Sequence, residues 1–388
     1  MPTDCIKIHS DLLDPGAREQ IRLIADHPVI GGQVAIMPDA HAGAGCVIGF
    51  TGRFVGGVIP NIVGVDIGCG VAAMPLSGVQ RIDFADFDRY VRNLIPLGMR
   101  SHKNQRFLKE LEATPELTAE ALKLCRKIEE GFYQQEKLGR FIPPLLQLGS
   151  LGGGNHFIEI GRGDNGEFHL IVHSGSRNLG KRVAEHFQSK ARRLCAGAGR
   201  MLPHGLEYLP DREGAAEYLR WMQAAQRYAA LNRRMMLALM ARFFDLEFTE
   251  AQVVESVHNY LCATDGLVRK GAISARQGQR VIIPLNMADG TLLGTGKGNR
   301  EYNCSAPHGA GRLYGRKEMF RRLKDGQFSM QQYADSMRHV YSTSISRETF
   351  DESRFAYKPY AAIERQLCET VELDQLLLPV YNLKAAGE

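Results

Sequence analysis

The sequence predicts an α/β protein in which a β-rich core carries glycine-rich loops and peripheral helices, all within one domain of 388 residues. Short apolar runs broken by glycine recur over 34–76, 148–177 and 252–312, as expected of strands joined by tight turns. Two charged, helix-periodic segments, about 83–136 and 181–245, separate these runs and predict helical insertions. Hydrophobic residues make up 44% of the chain, which is enough for a substantial core.

The first β-rich region begins with VAIMPDAHAGAG at 34–45, which predicts a strand that enters an irregular loop. Residues 46–76 continue with further strands and glycine-marked turns. The segment 83–136 then changes to a helical period. Within it, Thr114 and Pro115 are typical of a helix cap and a first helical position.

The second β-rich region contains LGSLGGGNHFIEI at 148–160 and FHLIVHSGSR at 168–177. The helical segment that follows has a face over 213–243 with residues recurring at spacings of three and four. This face includes Asn232, and we interpret it as core packing. The tail, 317–388, is predicted to mix helices with irregular segments.

Charge and cysteine usage bound the functional class. The net charge is +5 and the pI about 8.7, which is compatible with an anionic partner without arguing for one. The eight cysteines form no CxxC pair, and the sequence has no apolar run of membrane-spanning length; we also expect no signal peptide. We therefore expect reduced thiols in a cytoplasmic protein with no membrane span, and no disulfide framework.

The stretch VGVDIGCGV at 63–71 carries an acid and a thiol in an otherwise bare setting. Asp66 and Cys69 offer a hard oxygen and a soft sulfur, and three histidines in glycine-rich stretches offer nitrogens. These five residues, here called the donor set, are Asp66, Cys69, His156, His173 and His258. Mixed ligands of this kind favour one transition metal ion, or two sharing the thiolate, over magnesium or calcium. Zinc, manganese, iron and cobalt all remain open on ligand type.

Two further stretches share one form, a histidine followed by small residues and then an arginine. They are HSGSR at 173–177 and HGAGR at 308–312. Tight turns of small residues present backbone N–H groups to anions, and arginine supplies a bidentate clamp. The alternative is a glycine-rich turn with a surface arginine. The repeated form with histidine makes a phosphate site an equal candidate.

A family resemblance rests on motifs that occur in a fixed order. MPDAHAGAG, VGVDIGCGV, LGGGNHFIE, HSGSR, HNY, RKGAISARQGQ and HGAGR together resemble the RtcB family of RNA ligases, from about residue 30 to Lys384. The resemblance implies a single RtcB-type domain over 1–388. It also implies joining of RNA 2′,3′-cyclic phosphate or 3′-phosphate ends to 5′-hydroxyl ends, in RNA repair or tRNA splicing. GTP and two manganese ions are the implied cofactors.

The resemblance also implies the catalytic roles. The donor set would hold the two manganese ions, with the Cys69 thiolate bridging them. His308 would be guanylylated by GTP, and the GMP would then pass to the RNA to give an RNA-3′-pp-5′-G end. Asp39 is implied to assist proton transfer. Pro307, just before His308, is expected to fix φ at the entry to this loop and to remove one backbone donor.

Binding roles follow in the same way. The residues implied to bind GTP are Asn155, Glu159, Tyr357, Lys384, Gly309, Ala310 and Gly311. Those implied to bind RNA phosphates or pyrophosphate are Arg177, Lys270, Arg312 and Arg316. Glu159 is suited to guanine because a carboxylate accepts from N1–H and the N2 amino group, a pattern that adenine lacks.

Two other functions compete with the ligase interpretation. The same metals and arginines would serve a metal-dependent RNA phosphoesterase or nuclease that is never guanylylated. An inactive RNA-binding relative is disfavoured, since every residue expected to hold metal or GMP is present. The expected partners are broken tRNA or rRNA fragments. An archease-like activator or a release-factor-like protein is a further expected partner.

Overall fold

The computed structural model describes residues 6–112, 114–136, 139 and 141–385, and it confirms the predicted α/β fold. In chain order the strands are β1 (Ile6–Ile8), β2 (Ile30–His41), β3 (Ile48–Phe54), β4 (Gly57–Val58), β5 (Gly70–Pro75), β6 (Phe157–Arg162), β7 (Phe168–Ser174), β8 (Leu209–Pro210), β9 (Val254–Val257), β10 (Asn259–Leu261), β11 (Leu267–Lys270), β12 (Ala272–Ser274), β13 (Arg280–Asn286), β14 (Gly290–Gly296), β15 (Ser305–Pro307) and β16 (Val371–Leu383).

The helices surround these strands. They are α1 (Pro15–Ala25), α2 (Pro60–Val63), α3 (Phe84–Leu94), α4 (Pro115–Ile128), α5 (Pro144–Gln147), α6 (Arg177–Gly197), α7 (Ala216–Ala241), α8 (Arg316–Lys324), α9 (Met330–Ser336) and α10 (Glu364–Thr370). Short 3₁₀ or π turns occupy Gln105–Leu111, Glu129–Gln134, Asp211–Ala215, Arg242–Phe244, Glu250–Gln252, Arg300–Tyr302, Arg347–Glu352, Arg354–Ala356 and Tyr360–Ala362. Within the described residues, no helix has both the length and the apolar character needed to cross a membrane.

The larger sheet has seven strands in the order β13-β14-β16-β6-β7-β5-β9, and every neighbouring pair is antiparallel. Its interior strand β16 shows that the predicted mixture of helices and irregular segments in the tail was incomplete, because the tail also contains a strand. Pro379 inside the apolar run argues against a central strand, because proline cannot donate to a ladder. The strand accommodates it at a register shift between Pro379 and Tyr381.

The second sheet has five strands in the order β1-β2-β3-β11-β10. Strand β2 carries Asp39 near its end. A two-stranded ribbon of β12 and β15 lies close to it, and in this ribbon Pro307 pairs with Ala272. The predicted constraint at Pro307 is therefore built into a strand that leads directly to His308.

Helix α7 supports the large sheet from one side. Its residues Tyr218, Met222, Ala225 and Met236 are fully buried, which confirms the predicted core-packing face. Asn232 on the same face does more than pack, because its amide bonds to loops of the donor set as described below. The predicted cap is also confirmed at another helix, since Thr114 is the N-cap of α4 and Pro115 its first residue.

Candidate functional site

The donor set lies at one edge of the seven-stranded sheet. Asp66 and Cys69 precede β5, His156 directly precedes β6, His173 lies in β7, and His258 connects β9 to β10. Because β6, β7, β5 and β9 are adjacent in the sheet, residues spread over nearly 200 positions meet at this edge. The spacing of the donor-set residues along the sequence does not predict that they lie close together.

The donor atoms form two groups that share one sulfur. In one group, the ligand atoms of Asp66, Cys69 and His156 lie within 4.8 Å of one another. In the other, those of Cys69, His173 and His258 do so. Cys69 Sγ is 3.2 Å from His156 Nε2 and 3.3 Å from His173 Nε2. This arrangement fits two transition metal ions held on a common thiolate.

The protonation states of the donor set suit this interpretation. Burial lowers the pKa of His173 and His258 well below the usual value, so their imidazoles are neutral. Burial and the neighbouring Asp66 raise the pKa of the Cys69 thiol, which therefore needs a cation to ionise. Burial opposes ionisation of Asp66 as well, but His156 outweighs it and the pKa falls to about 2.

Two buried side chains of α7 fix the loops that carry these ligands. Arg233 donates to the carbonyl oxygen of Gly68 at 2.8 Å and to that of Ser174 at 2.7 Å. Its Nε also pairs with Glu255 at 2.7 Å, three residues before His258. The Asn232 amide nitrogen bonds to Ser174 Oγ at 3.1 Å. One helix therefore holds three ligand-bearing segments.

Glycine gives the ligands room at two positions. A Cβ on Gly175 would lie 2.0 Å from Asp66 Oδ1, and a Cβ on Gly152 would lie 2.1 Å from His156 Nδ1. Any side chain there would displace a ligand, which explains the glycine-rich motifs around the site in physical terms.

His308 lies beside the donor set and forms a dyad with Asp39. Its Nδ1 is 2.7 Å from Asp39 Oδ2, and its backbone N–H donates to the same oxygen at 3.2 Å. The ring centroids of His308 and His258 are 4.9 Å apart. Asp39 Oδ1 is buried and has no hydrogen-bond partner among the described residues. The dyad is thus adjacent to one of the two donor groups.

A cavity of about 250 Å³ joins these features. Its lining includes His41, Asn155, Phe157, Glu159, His173, His258, Asn286, His308, Gly309, Ala310, Gly311, Arg312, Arg316, Glu352, Tyr357, Asn382 and Lys384. All seven predicted GTP-binding residues are in this lining. Two of the four predicted phosphate-binding residues are there as well.

Glu352 organises one wall of the cavity and was not predicted from the sequence. Its Oε2 accepts from Tyr357 Oη at 2.6 Å and from Lys384 Nζ at 3.2 Å. Its Oε1 accepts from Arg312 at 3.1 Å and lies 3.4 Å from Arg316. Burial would raise the pKa of Glu352, but the three cations outweigh it and hold it at about 2. We call these five residues the cation network.

Glu159 occupies another wall, where burial favours its neutral form. Thr291 Oγ1 donates to its Oε1 and Asn382 Nδ2 to its Oε2, both at 2.9 Å. Burial raises the pKa of Glu159 to about 7, although these two hydrogen bonds oppose the shift. Glu159 therefore titrates within the neutral range.

Two predicted phosphate ligands lie elsewhere. Lys270 is buried, and its ammonium group donates to two backbone carbonyl oxygens at 3.0 Å. Arg177 begins α6 with a positive φ of 57°, donates to Ser150 Oγ at 3.1 Å and bonds to the carbonyl of Gly98. Neither side chain lines the cavity. Both hold loops around it.

Sequence analysis missed several lining residues that had usable signals. His41 ends the same MPDAH motif as Asp39, and burial lowers its pKa to about 4. Glu352 is five residues before Tyr357, one of the residues implied to bind GTP. For Asn382, we see no sequence signal beyond its position two residues before Lys384.

The fold and the site define an α/β protein in which a thiol-centred donor cluster opens onto a cavity lined by four histidines, two arginines and a lysine. Comparison with known proteins gives the family. The sequence model of the family described as tRNA-splicing ligase RtcB matches residues 20–385, and the chain therefore belongs to the RtcB family, which confirms the resemblance.

Curated relatives agree with this assignment. The chain is 30% identical over 401 residues to the RNA-splicing ligase RtcB of Escherichia coli K12, covering 96% of this chain and 95% of that protein. It is 29% identical over 392 residues to RNA-splicing ligase RtcB2 of Escherichia coli ATCC 25922, covering 95% and 90%. It is 28% identical over 422 residues to the tRNA-splicing ligase RtcB of Thermococcus kodakarensis, covering 88% and 84%.

Proposed function

We propose that this protein is a GTP- and manganese-dependent RNA ligase that joins 2′,3′-cyclic phosphate or 3′-phosphate ends to 5′-hydroxyl ends. Membership of the RtcB family and relatives described as RNA-splicing ligases support the reaction class. The observation that carries the proposal is the shared cavity. Its lining includes His308, two histidines of the donor set and Glu159, so the residues proposed as nucleophile, metal ligands and base-reading carboxylate face one volume.

In the first step His308 acts as the nucleophile. Its Nδ1 is held by Asp39 Oδ2 at 2.7 Å, which favours the tautomer with a lone pair on Nε2. That lone pair attacks the α-phosphate of GTP, an N–P bond forms, and pyrophosphate leaves. Asp39 stabilises the positive charge that develops on the ring, as a buried carboxylate beside a catalytic histidine does.

Two manganese ions held by the donor set would neutralise charge on the phosphate oxygens and on the RNA end. Three properties of the donor set suit these ions. Asp66 is already ionised, His173 and His258 are neutral, and Cys69 belongs to both groups of ligands.

The remaining lining residues are assigned to the nucleotide. Glu159 would accept from N1–H and the N2 amino group of guanine, and Lys384 would approach the same base. Tyr357 would pack on the base, and Asn155 and the backbone of Gly309, Ala310 and Gly311 would contact the phosphates. Arg312 and Arg316 would bind RNA phosphate or the departing pyrophosphate.

The later steps transfer GMP and seal the strand. A 3′-phosphate oxygen of the RNA attacks the phosphorus of the His308 adduct, the N–P bond breaks, and an RNA-3′-pp-5′-G end forms. The 5′-hydroxyl of the second RNA then attacks the RNA 3′-phosphorus, its proton leaves, and GMP is released. A cyclic phosphate must first be hydrolysed by water to the 3′-phosphate.

The RNA substrate is proposed from its chemistry. Broken tRNA or rRNA fragments carry the required ends, and an archease-like activator or a release-factor-like protein is a proposed partner. We assign Arg177 and Lys270 to holding loops rather than to RNA, since their side chains already bond to backbone or side-chain oxygens of those loops.

The test is guanylylation. Wild-type protein incubated with manganese and GTP labelled at the α-phosphate should acquire an acid-labile label and then ligate RNA with a 3′-phosphate to RNA with a 5′-hydroxyl. His308→Ala should lose both activities, whereas His204→Ala, which alters an exposed histidine, should retain them. Loss of RNA phosphate without any protein label would favour the phosphoesterase or nuclease instead.

A further inference from the structure

Asn382 is a buried cavity residue whose side chain is only half satisfied. It lies in β16 directly opposite Glu159 of β6, and it is 1% exposed. Its Nδ2 donates to Glu159 Oε2 at 2.9 Å. Its Oδ1 is buried and has no hydrogen-bond partner within the part of the chain that the structure describes.

The orientation of this amide follows from its neighbour. When Glu159 is ionised, as it must be to accept from guanine, it can only accept, so in this form the nitrogen of Asn382 faces Glu159 and the oxygen is the free end. A buried acceptor without a partner is destabilising. Because Asn382 lines the cavity, the donor that this oxygen lacks can come from a bound ligand.

A count of hydrogen bonds on guanine identifies that donor. The guanine edge offers N1–H and two hydrogens on N2. Each oxygen of Glu159 already accepts one bond, from Thr291 or from Asn382, which leaves one acceptor position on each. Those two positions suffice for N1–H and one N2–H. The second N2–H would be buried without a partner.

We propose that Asn382 Oδ1 accepts the second N2–H, so that Asn382 is a specificity-determining residue for guanine. This inference rests on the proposed function, in which the cavity binds GTP. Hypoxanthine has the same N1–H and O6 as guanine but no N2 amino group. Asn382 therefore adds to the preference for guanine over hypoxanthine, whereas a lysine at O6 does not distinguish the two bases.

Thr291 provides a matched control within the same contact. It donates to the other oxygen of Glu159 at the same 2.9 Å distance, and its side chain is also fully buried. Thr291 does not line the cavity and its hydroxyl already has a partner. Thr291→Val removes support for Glu159 without removing an acceptor for the base.

The experiment is a calorimetric titration of GMP and inosine monophosphate into the full-length protein in the presence of manganese. Wild type should bind GMP about tenfold or more tightly than inosine monophosphate, because two hydrogen bonds to N2 are lost. Asn382→Leu should weaken GMP and lower this ratio several-fold. Thr291→Val should weaken both ligands and leave the ratio within about twofold of wild type.

The outcomes separate the two proposals. A wild-type protein that binds GMP and forms the His308 adduct, combined with an unchanged ratio in Asn382→Leu, overturns the role of Asn382 alone. Equal binding of the two ligands by wild type also overturns it, without any variant. Absence of both GMP binding and the adduct in wild type defeats the ligase proposal itself. Asn382→Ser repeats the test if the leucine variant does not fold, and the same drop in the ratio is expected.

Discussion

Around Cys69, two imidazole nitrogens lie 3.2 and 3.3 Å from the sulfur, and burial keeps two histidines of the donor set neutral. Around Glu352, by contrast, a lysine, two arginines and a tyrosine hydroxyl already surround the carboxylate. The donor set brings metal-ligating oxygen, nitrogen and sulfur atoms close together. In the cation network, the charge of Glu352 is paired with a lysine and two arginines. The first region could hold a metal ion, whereas the second already pairs its carboxylate with cations of the chain itself.

The sharing of Cys69 between the two donor groups gives the largest expected effect. Cys69→Ala should remove both metal ions and abolish guanylylation, because each group loses its common ligand. Asp66→Ala and His258→Ala should each remove one ion, since each residue belongs to one group. Manganese stoichiometry measured by electron paramagnetic resonance of the free ion checks this. Equal stoichiometry in Cys69→Ala and Asp66→Ala would contradict a shared thiolate.

Arg233 gives the next effect, because it fixes the donor set without touching metal. Arg233→Met should weaken manganese binding about 10- to 100-fold, the usual cost of losing a group that orients ligands. Arg233→Lys should recover part of this affinity, since lysine keeps the charge but cannot bond three segments at once. Cobalt substitution would report the change as a weaker thiolate charge-transfer band.

Arg269 is the matched control for Arg233. It is also fully buried, but it bonds to Asp265 and Ser305 rather than to the loops of the donor set. Arg269→Met should destabilise the fold and leave manganese affinity close to wild type. Equal loss of metal affinity in both arginine variants would mean that Arg233 acts through general stability.

The contrast between the two regions also explains what the sequence could predict. The donor set was recognisable from residue chemistry, since an acid, a thiol and histidines stood in glycine-rich stretches. Its assembly depends on the order of β6, β7, β5 and β9 in one sheet, which local spacing does not encode. The family resemblance, rather than periodicity, supplied that proximity.

The cation network was harder to predict because its centre is an acid among many. Glu352 becomes recognisable only when β16 brings Lys384 to it, and β16 itself was obscured by Pro379. Arg233 and Asn232 looked like members of an ordinary helix, and their partners at Gly68 and Ser174 lie more than 50 residues away in sequence. Residues that act through distant backbone atoms leave little local pattern.

Glu352→Gln tests the paired charges of the cation network. The folded-state pKa of Glu352 is about 2, below its ordinary value of 4.5, so the charge stabilises the fold above pH 4.5 and this contribution is lost as pH falls toward 2. The variant should lose about 3 kcal/mol of unfolding free energy at pH 7. The deficit should shrink in acid. Urea unfolding across this pH range measures it.

The adjacent acid provides the control for this prediction. Asp351 is buried too, but burial and then Glu352 raise its pKa, so its charge is disfavoured in the folded state. Asp351→Asn should leave stability at pH 7 unchanged or increase it. A loss equal to that of Glu352→Gln would show that burial, rather than the three cations, governs this wall of the cavity.

Glu159 gives the smallest expected effect, and its pKa shift has the opposite sign to that of Glu352. Its folded-state pKa is about 7, above its ordinary value of 4.5, so burial of Glu159 lowers stability progressively as pH rises from 4.5 through 7. Its ionised fraction rises from about one tenth at pH 6 to about nine tenths at pH 8, which should strengthen guanosine binding about ninefold. Guanosine is the suitable ligand because it has no phosphate that titrates in this range.

Glu159→Gln should remove both trends, since the amide does not titrate. Calorimetry with guanosine and urea unfolding, each at pH 6, 7 and 8, would then show binding that improves as the free wild-type protein loses stability, and neither change in the variant. If guanosine binding by Glu159→Gln rises with pH as steeply as in wild type, another group titrates and Glu159 is not the base-reading acid. Glu352 therefore stabilises one wall of the cavity because its charge is paired with cations. On the other wall, the buried charge of Glu159 lowers stability until guanine supplies hydrogen-bond donors.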